Sequence, residues 1–284
     1  PAHAGSPAKA RYDVVYVVDG RGWYYRYSHL KTIDVKAGDR VQRGQRLGTL
    51  GKEGTSGGWS HLHFDITSRQ PSGDWGIQDA YAYVWEAYQR EYQPKIIAVA
   101  RPHHLAAVNE TVNLNGEKSW SKIGPIRSYE WTLSDGTTAT TATVSRQYPK
   151  PGAYSEILKV TDSQGNVAWD FASVQVAAPN DPTGIPASLH LSFYPSREVK
   201  PGDEITFKVR SFRTKPSGEI IDFGDGTPPV SLRSDGGASR NAPDGYAITT
   251  HRFQRPGNYL VTATHLSAHG HPATARVWVE VKTP

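Results

Sequence analysis

Residues 219–229 read "EIIDFGDGTPP". An apolar run that stops at Asp225-Gly226-Thr227 has the composition of a strand entering a tight turn. The same device occurs earlier: residues 127–139, "RSYEWTLSDGTTA", run into Asp135-Gly136-Thr137. After each comes a Pro-Gly-x-Tyr turn (Pro151, Gly152, Tyr154; Pro256, Gly257, Tyr259) and then an alternating stretch. Two copies of one pattern, each of roughly 85–95 residues, have the size of small β-sandwiches. Working outward, the copies occupy residues 95–177 and 186–284, with 178–185 inside the linker "AAPNDPTGIP".

The composition agrees with many short strands. Among 284 residues there are 27 glycines, 20 prolines, 15 tyrosines and 8 tryptophans. The net charge is +5 from 32 basic and 27 acidic residues, with no dense Lys/Arg run, which argues against a nucleic-acid partner. No apolar run approaches the roughly 18 residues of a membrane-spanning helix. Cysteine is absent, which excludes disulfides and thiolate-bound zinc. Methionine is absent too, and the chain opens "PAHAGSPAKA"; we read this as a processed or truncated N-terminus.

Upstream of the sandwiches, residues 1–77 form a third module and residues 78–94 a connecting helix. "YDVVYVVD", "GRG" and "WYYRYSHL" predict a hairpin. In "VKAGDRVQRGQRLGTLG", Gly38, Gly44 and Gly48 punctuate short apolar pieces, predicting a compact antiparallel sheet with sharp corners. Residues 60–67, "SHLHFDIT", predict a strand with His61, His63 and Asp65 on one face and Leu62, Phe64 and Ile66 on the other. Within "QDAYAYVWEAYQRE", Tyr81, Val84, Trp85 and Tyr88 make a helical apolar stripe suited to packing on a neighbouring domain. His265, His269 and His271 surround a turn in the second sandwich and read as an exposed hairpin, and Glu53 reads as a solvating charge.

Two resemblances sharpen these expectations. The DGT and PGxY pairing resembles the polycystic-kidney-disease (PKD) domain, an Ig-like sandwich found in extracellular proteins as an accessory module. The string "YYRYSHL…VKAGDRVQRGQRLGTLGKEGTSGGWSHLHFDI" resembles the C-terminal half of the lysostaphin-like zinc metallopeptidases, the peptidoglycan endopeptidases, from about Asp13 to Ile66. The expected fold class is therefore mainly β: an antiparallel metallopeptidase-like sheet domain, one connecting helix and two Ig-like sandwiches.

The second resemblance implies Zn2+ as cofactor, His63 as a metal ligand, and His61 and His29 as catalytic histidines. Tyr27, Trp23 and Trp59 are candidates for lining a substrate groove. It implies peptidoglycan, or another peptide or glycan, as substrate and a location outside the cytoplasm. The family also carries an upstream His-x-x-x-Asp that supplies two further ligands. Here His3 is followed by no aspartate at that spacing, and the first aspartate is Asp13. Two alternatives stay open. An N-terminal fragment or partner chain completes the site, or the module is an inactive relative whose groove binds peptide or glycan as a scaffold.

Overall fold

The computed structural model describes residues 8–9, 11–56, 60–179, 186–215, 217–234 and 245–283. Its described residues form twenty-two strands and one helix, so the expected mainly β class holds. The chain divides into two compact units, Pro1–Gln93 and Pro94–Pro284.

In the first unit, β1 (Val14–Val18) and β2 (Tyr24–Ser28) form the expected hairpin, paired from Val14↔Ser28 to Val18↔Tyr24. Asp19 shapes its turn by accepting the Arg21 and Trp23 amides, and Gly22 takes the positive φ of 79° that the turn requires. β3 (Leu30–Ile33) and β4 (Gly48–Leu50) make a separate two-stranded ribbon. β5 (His63–Arg69) lies against β2, and β6 (Trp75–Gln78) against β5, completing the antiparallel order β1-β2-β5-β6.

Two expectations shift here. The histidine-bearing strand starts at His63, leaving His61 and Leu62 outside it, and Leu62 is exposed. The reason lies in β2, whose last residue, Ser28, pairs with His63. The chain then turns away at His29 (φ 67°), so the ladder between β2 and β5 ends at His63. Residues 34–47 form two successive turns rather than a sheet: Asp39 accepts the Lys36 amide and Gln45 the Gln42 amide. Apolar residues standing singly between such turns, as Val35 and Val41 do, are too few to sustain a ladder.

Helix α1 (Tyr81–Tyr92) ends at Gln93, whose left-handed backbone returns its amide to Gln89 O. The expected stripe leaves Tyr81 and Val84 exposed, and no residue of the helix is buried. Tyr81, Trp85 and Tyr88 instead stack along the helix at centroid distances of 6.4 and 6.1 Å.

The second unit holds both sandwiches. The first comprises β7 (Ile96–Ile97), β8 (His104–Ala107), β9 (Thr111–Asn115), β10 (Trp120–Ser121), β11 (Ser128–Thr132), β12 (Thr138–Ala139), β13 (Thr143–Gln147), β14 (Gly152–Thr161) and β15 (Val167–Ala177). The second comprises β16 (Ser188–Tyr194), β17 (Ile205–Phe212), β18 (Glu219–Asp222), β19 (Val230–Leu232), β20 (Ala247–His251), β21 (Gly257–Leu266) and β22 (Pro272–Val281). Trp131, Leu114, Leu158 and Val174 are fully buried in one core, and Phe207, Ile205, Ile221 and Val261 in the other.

The repeat seen in the sequence is a repeat of contacts. Thr137 closes on Asp135 Oδ1 through its amide and hydroxyl, and Thr227 does the same on Asp225 Oδ1. Tyr154 donates its hydroxyl to Lys150 O, as Tyr259 does to Arg255 O, both at 2.7 Å. The sandwiches meet directly: β14 and β22 pair in parallel at Ala153↔Ala273, and Trp278 lies 5.2 Å from Trp169. The Arg276 guanidinium donates to Ser155 O across the same junction.

Candidate functional site

The site forms where β2 ends. Register places Arg26 opposite Asp65, Tyr27 opposite Phe64 and Ser28 opposite His63. Alternation therefore puts Arg26, Ser28, His63 and Asp65 on one face of the sheet and Tyr27 with Phe64 on the other. His29 follows in a left-handed conformation uncommon for a residue with a Cβ, which turns its ring toward the other two histidines. Its ring centroid lies 4.7 Å from that of His61 and 5.8 Å from that of His63. The three histidines singled out in the sequence thus converge.

His29 is the most firmly held of the three. Its Nδ1 lies 2.7 Å from the Glu53 carbonyl, an acceptor only, so Nδ1 donates there and, in the neutral ring, the lone pair falls to Nε2. It is the backbone of Glu53, expected as a solvating charge, that fixes this tautomer. Asp13, fully buried, accepts the His29 amide and sits 3.6 Å from Nδ1. Burial pushes the Asp13 carboxyl up, but a two-point bond from Arg11 outweighs it and leaves the group below the usual carboxylate range.

His63 is more exposed and its Nε2 is shared. Arg26 Nη2 approaches it to 2.6 Å and Asp65 Oδ2 to 3.0 Å. A guanidinium only donates, so the first contact needs a lone pair on Nε2 while the second needs a proton there. The neutral ring satisfies one contact at a time. Arg26 also donates from Nε to Asp65 Oδ2 at 2.6 Å, locking the pair across the strands. Ser28 Oγ, opposite His63, is buried without a hydrogen-bond partner.

Not every candidate joins this cluster. Tyr27 packs on Phe64 (5.1 Å) on the opposite face, where burial raises its phenol pKa. Trp23 sits at the far end of β2, under the Arg21 guanidinium at 4.1 Å. Trp59 and His3 lie outside the described residues. His265, expected on an exposed hairpin, is buried with Nε2 on Ser217 O, whereas His269 and His271 do flank the Gly270 turn. Arg26 carried no role in the sequence reading. Its place two residues before Ser28, out of phase with Tyr25 and Tyr27, was the available signal.

A catalytic zinc takes three protein ligands and leaves one position open. Among the described residues no group of three or more His, Cys, Asp or Glu side chains could hold a metal ion. With one implied ligand present, and its Nε2 in contact with Arg26, these residues alone do not fit the ion.

Residues 3–74 match peptidase family M23, and residues 93–176 match the PKD domain. Collagenase ColA of Clostridium perfringens (strain 13 / Type A) is 32% identical over 84 residues, 30% of this chain and 7% of that protein. Microbial collagenase of Vibrio alginolyticus is 30% identical over 123 residues, 40% of this chain and 15% of that protein. Collagenase ColA of Bacillus cereus is 27% identical over 137 residues, covering 48% and 14%. The chain spans no more than 15% of the length of any of these three relatives. By these matches, the histidine-bearing module carries the pattern of the M23 peptidases and the first sandwich that of the PKD domain.

Proposed function

We propose that the first unit is the histidine-bearing part of a peptide hydrolase that cuts peptide bonds in cell-wall peptidoglycan outside the cytoplasm. Both sandwiches, the second also of PKD type, serve it as accessory modules. The observation that carries this reading is the convergence of His29, His61 and His63, with the His29 tautomer set by Glu53. In that tautomer His29 Nε2 can accept a proton or a hydrogen bond beside His61, the property expected of a group assisting proton movement. M23 peptidases are typically zinc-dependent. Zinc enters this proposal only with further ligands from residues outside those described or from a partner chain, His63 being the ligand from this sheet.

The test is metal content by elemental mass spectrometry, alongside release of peptide from purified peptidoglycan by the chain and by His61→Ala. Near-stoichiometric zinc and release lost in the variant support hydrolysis. A zinc-free chain without release overturns it. The second reading, a non-catalytic module that binds glycan or peptide, is favoured by one observation, the Arg26 contact at His63 Nε2.

A further inference from the structure

The geometry points to a binding site for the C-terminal carboxylate of a peptide in the cavity between the two sandwiches. The cavity holds about 340 Å3, at the small end of the range for small-molecule sites, about 300–1,000 Å3. Pro151 and Ala178 on the side of the first sandwich, and Ala187 and Ala268 on that of the second, give it apolar walls. Among the described residues that line it, every titratable side chain is basic: Arg213, His269 and His271. An anion with a small apolar body suits that lining. Inorganic phosphate, which has no apolar part to set against the walls, suits it less.

Each basic group is held by contacts that leave it available. Arg213 adopts φ 57°, uncommon for a residue with a Cβ, and such strain collects at ligand sites. Its Nε and Nη2 donate to Pro186 O at 3.0 and 2.8 Å, which fixes the guanidinium. Among the described residues Nη1 has no bond and no carboxylate pairs with the charge. His269 and His271 sit on the turn between β21 and β22, where Ser267 Oγ accepts both their amides, at 3.2 and 3.0 Å. Their rings lie 6.1 Å apart, and among the described residues neither makes a hydrogen bond. An imidazole offers an N–H in either protonation state and a positive charge when protonated. Thr214 plays the opposite part. Its hydroxyl proton goes to Ser211 Oγ at 2.8 Å, so Oγ1 keeps lone pairs that can accept a peptide N–H. Ser211 in turn donates to Glu219, a buried carboxylate whose charge Ser211 and Ser234 already satisfy. A carboxylate beside a peptide N–H and a small side chain matches the basic groups, Thr214 Oγ1 and the apolar walls together.

The experiment is an NMR titration of the full chain with acetyl-alanyl-alanine, read at the ring resonances of His269 and His271. The C-terminal amide of the same dipeptide and inorganic phosphate are run beside it. The acid is expected to shift both rings saturably, with a dissociation constant on the order of a millimolar for so small a ligand. The amide should bind about tenfold to a hundredfold more weakly, because the charge-assisted bond from Arg213 is lost. Arg213→Gln should weaken the acid by the same factor. Ala268→Trp, a substitution at an exposed position that fills the cavity, should abolish binding, and it decides the matter if Arg213→Gln does not fold. Rings that do not shift, an amide or phosphate that binds as tightly as the acid, or binding that survives Ala268→Trp overturns the site. The inference stands on the second unit alone, so it and the hydrolase reading fail separately. A chain that binds the dipeptide but releases nothing from peptidoglycan sinks the hydrolase and keeps the site; an active chain whose rings do not shift does the reverse.

Discussion

His251 Nε2 lies 2.7 Å from Asp225 Oδ2, and the His251 ring stacks on Phe223 at 3.9 Å. In the first sandwich Arg146 holds the matching Asp135 at 3.2 Å. One turn is thus braced by a permanent cation and its repeat by an imidazole.

Acid sensitivity follows from Asp225. Burial raises its pKa, but the Thr227 hydroxyl and amide and the His251 contact outweigh this and leave it lowered. A carboxyl with a depressed folded pKa stabilises the fold above its unfolded value and stops doing so as pH falls through the folded one. Asp225→Asn should therefore melt below wild type at neutral pH, with the gap closing below about pH 4. A gap that stays constant down to pH 2 would remove this account.

Alternation on β18 makes opposite claims for neighbouring residues. Phe223, just past the strand and 1% exposed, packs on Phe207 at 5.2 Å, so Phe223→Ala should cost about 3–5 kcal/mol in urea unfolding. Ile220 is half exposed, and Ile220→Ala should stay within about 0.5 kcal/mol. Equal effects would mean that the strand's faces are misassigned.

At His29 the backbone, not the ring, governs one comparison. Both His29→Ala and His29→Gly delete the imidazole, but only alanine must hold a Cβ at φ 67°. The glycine variant should be the more stable by about 1 kcal/mol, against the usual ordering. An alanine variant as stable as the glycine one would refute the left-handed assignment.

The junction between sandwiches tolerates little volume. Ala153 and Ala273 are buried against each other's strands together with Ala187. Ala273→Leu should cost about 1–3 kcal/mol by overpacking. In scanning calorimetry the single transition expected for the pair should broaden or split. A sharp, unshifted transition would show that the sandwiches do not depend on this contact.

What could be read in the sequence was whatever period and turn chemistry encode. Tyr24–Ser28 alternates with the hairpin's other strand as expected, and Asp135 and Asp225 cap their turns through matching bonds. The convergence of His29, His61 and His63 came from resemblance, not from spacing. Long-range register was harder to see. That His61 falls outside a strand depends on where β2 stops pairing, thirty-odd residues away in the chain. That Arg26 reaches His63 depends on two strands lying side by side, which no local pattern states. His265 looked like part of an exposed loop because polarity alone does not reveal a ring whose Nε2 meets the Ser217 carbonyl and whose Nδ1 accepts the Leu266 amide.

The parallel bridge between Ala153 and Ala273 has a mechanical consequence. Two domains strung on a tether swivel, and their spacing follows the tether's length. Here strands of the two sandwiches are stitched to each other, with Arg276 and the Trp169–Trp278 contact alongside. The pair therefore acts as a girder, transmitting a pull or twist from one end to the other with little give, and its span is set by masonry rather than by rope.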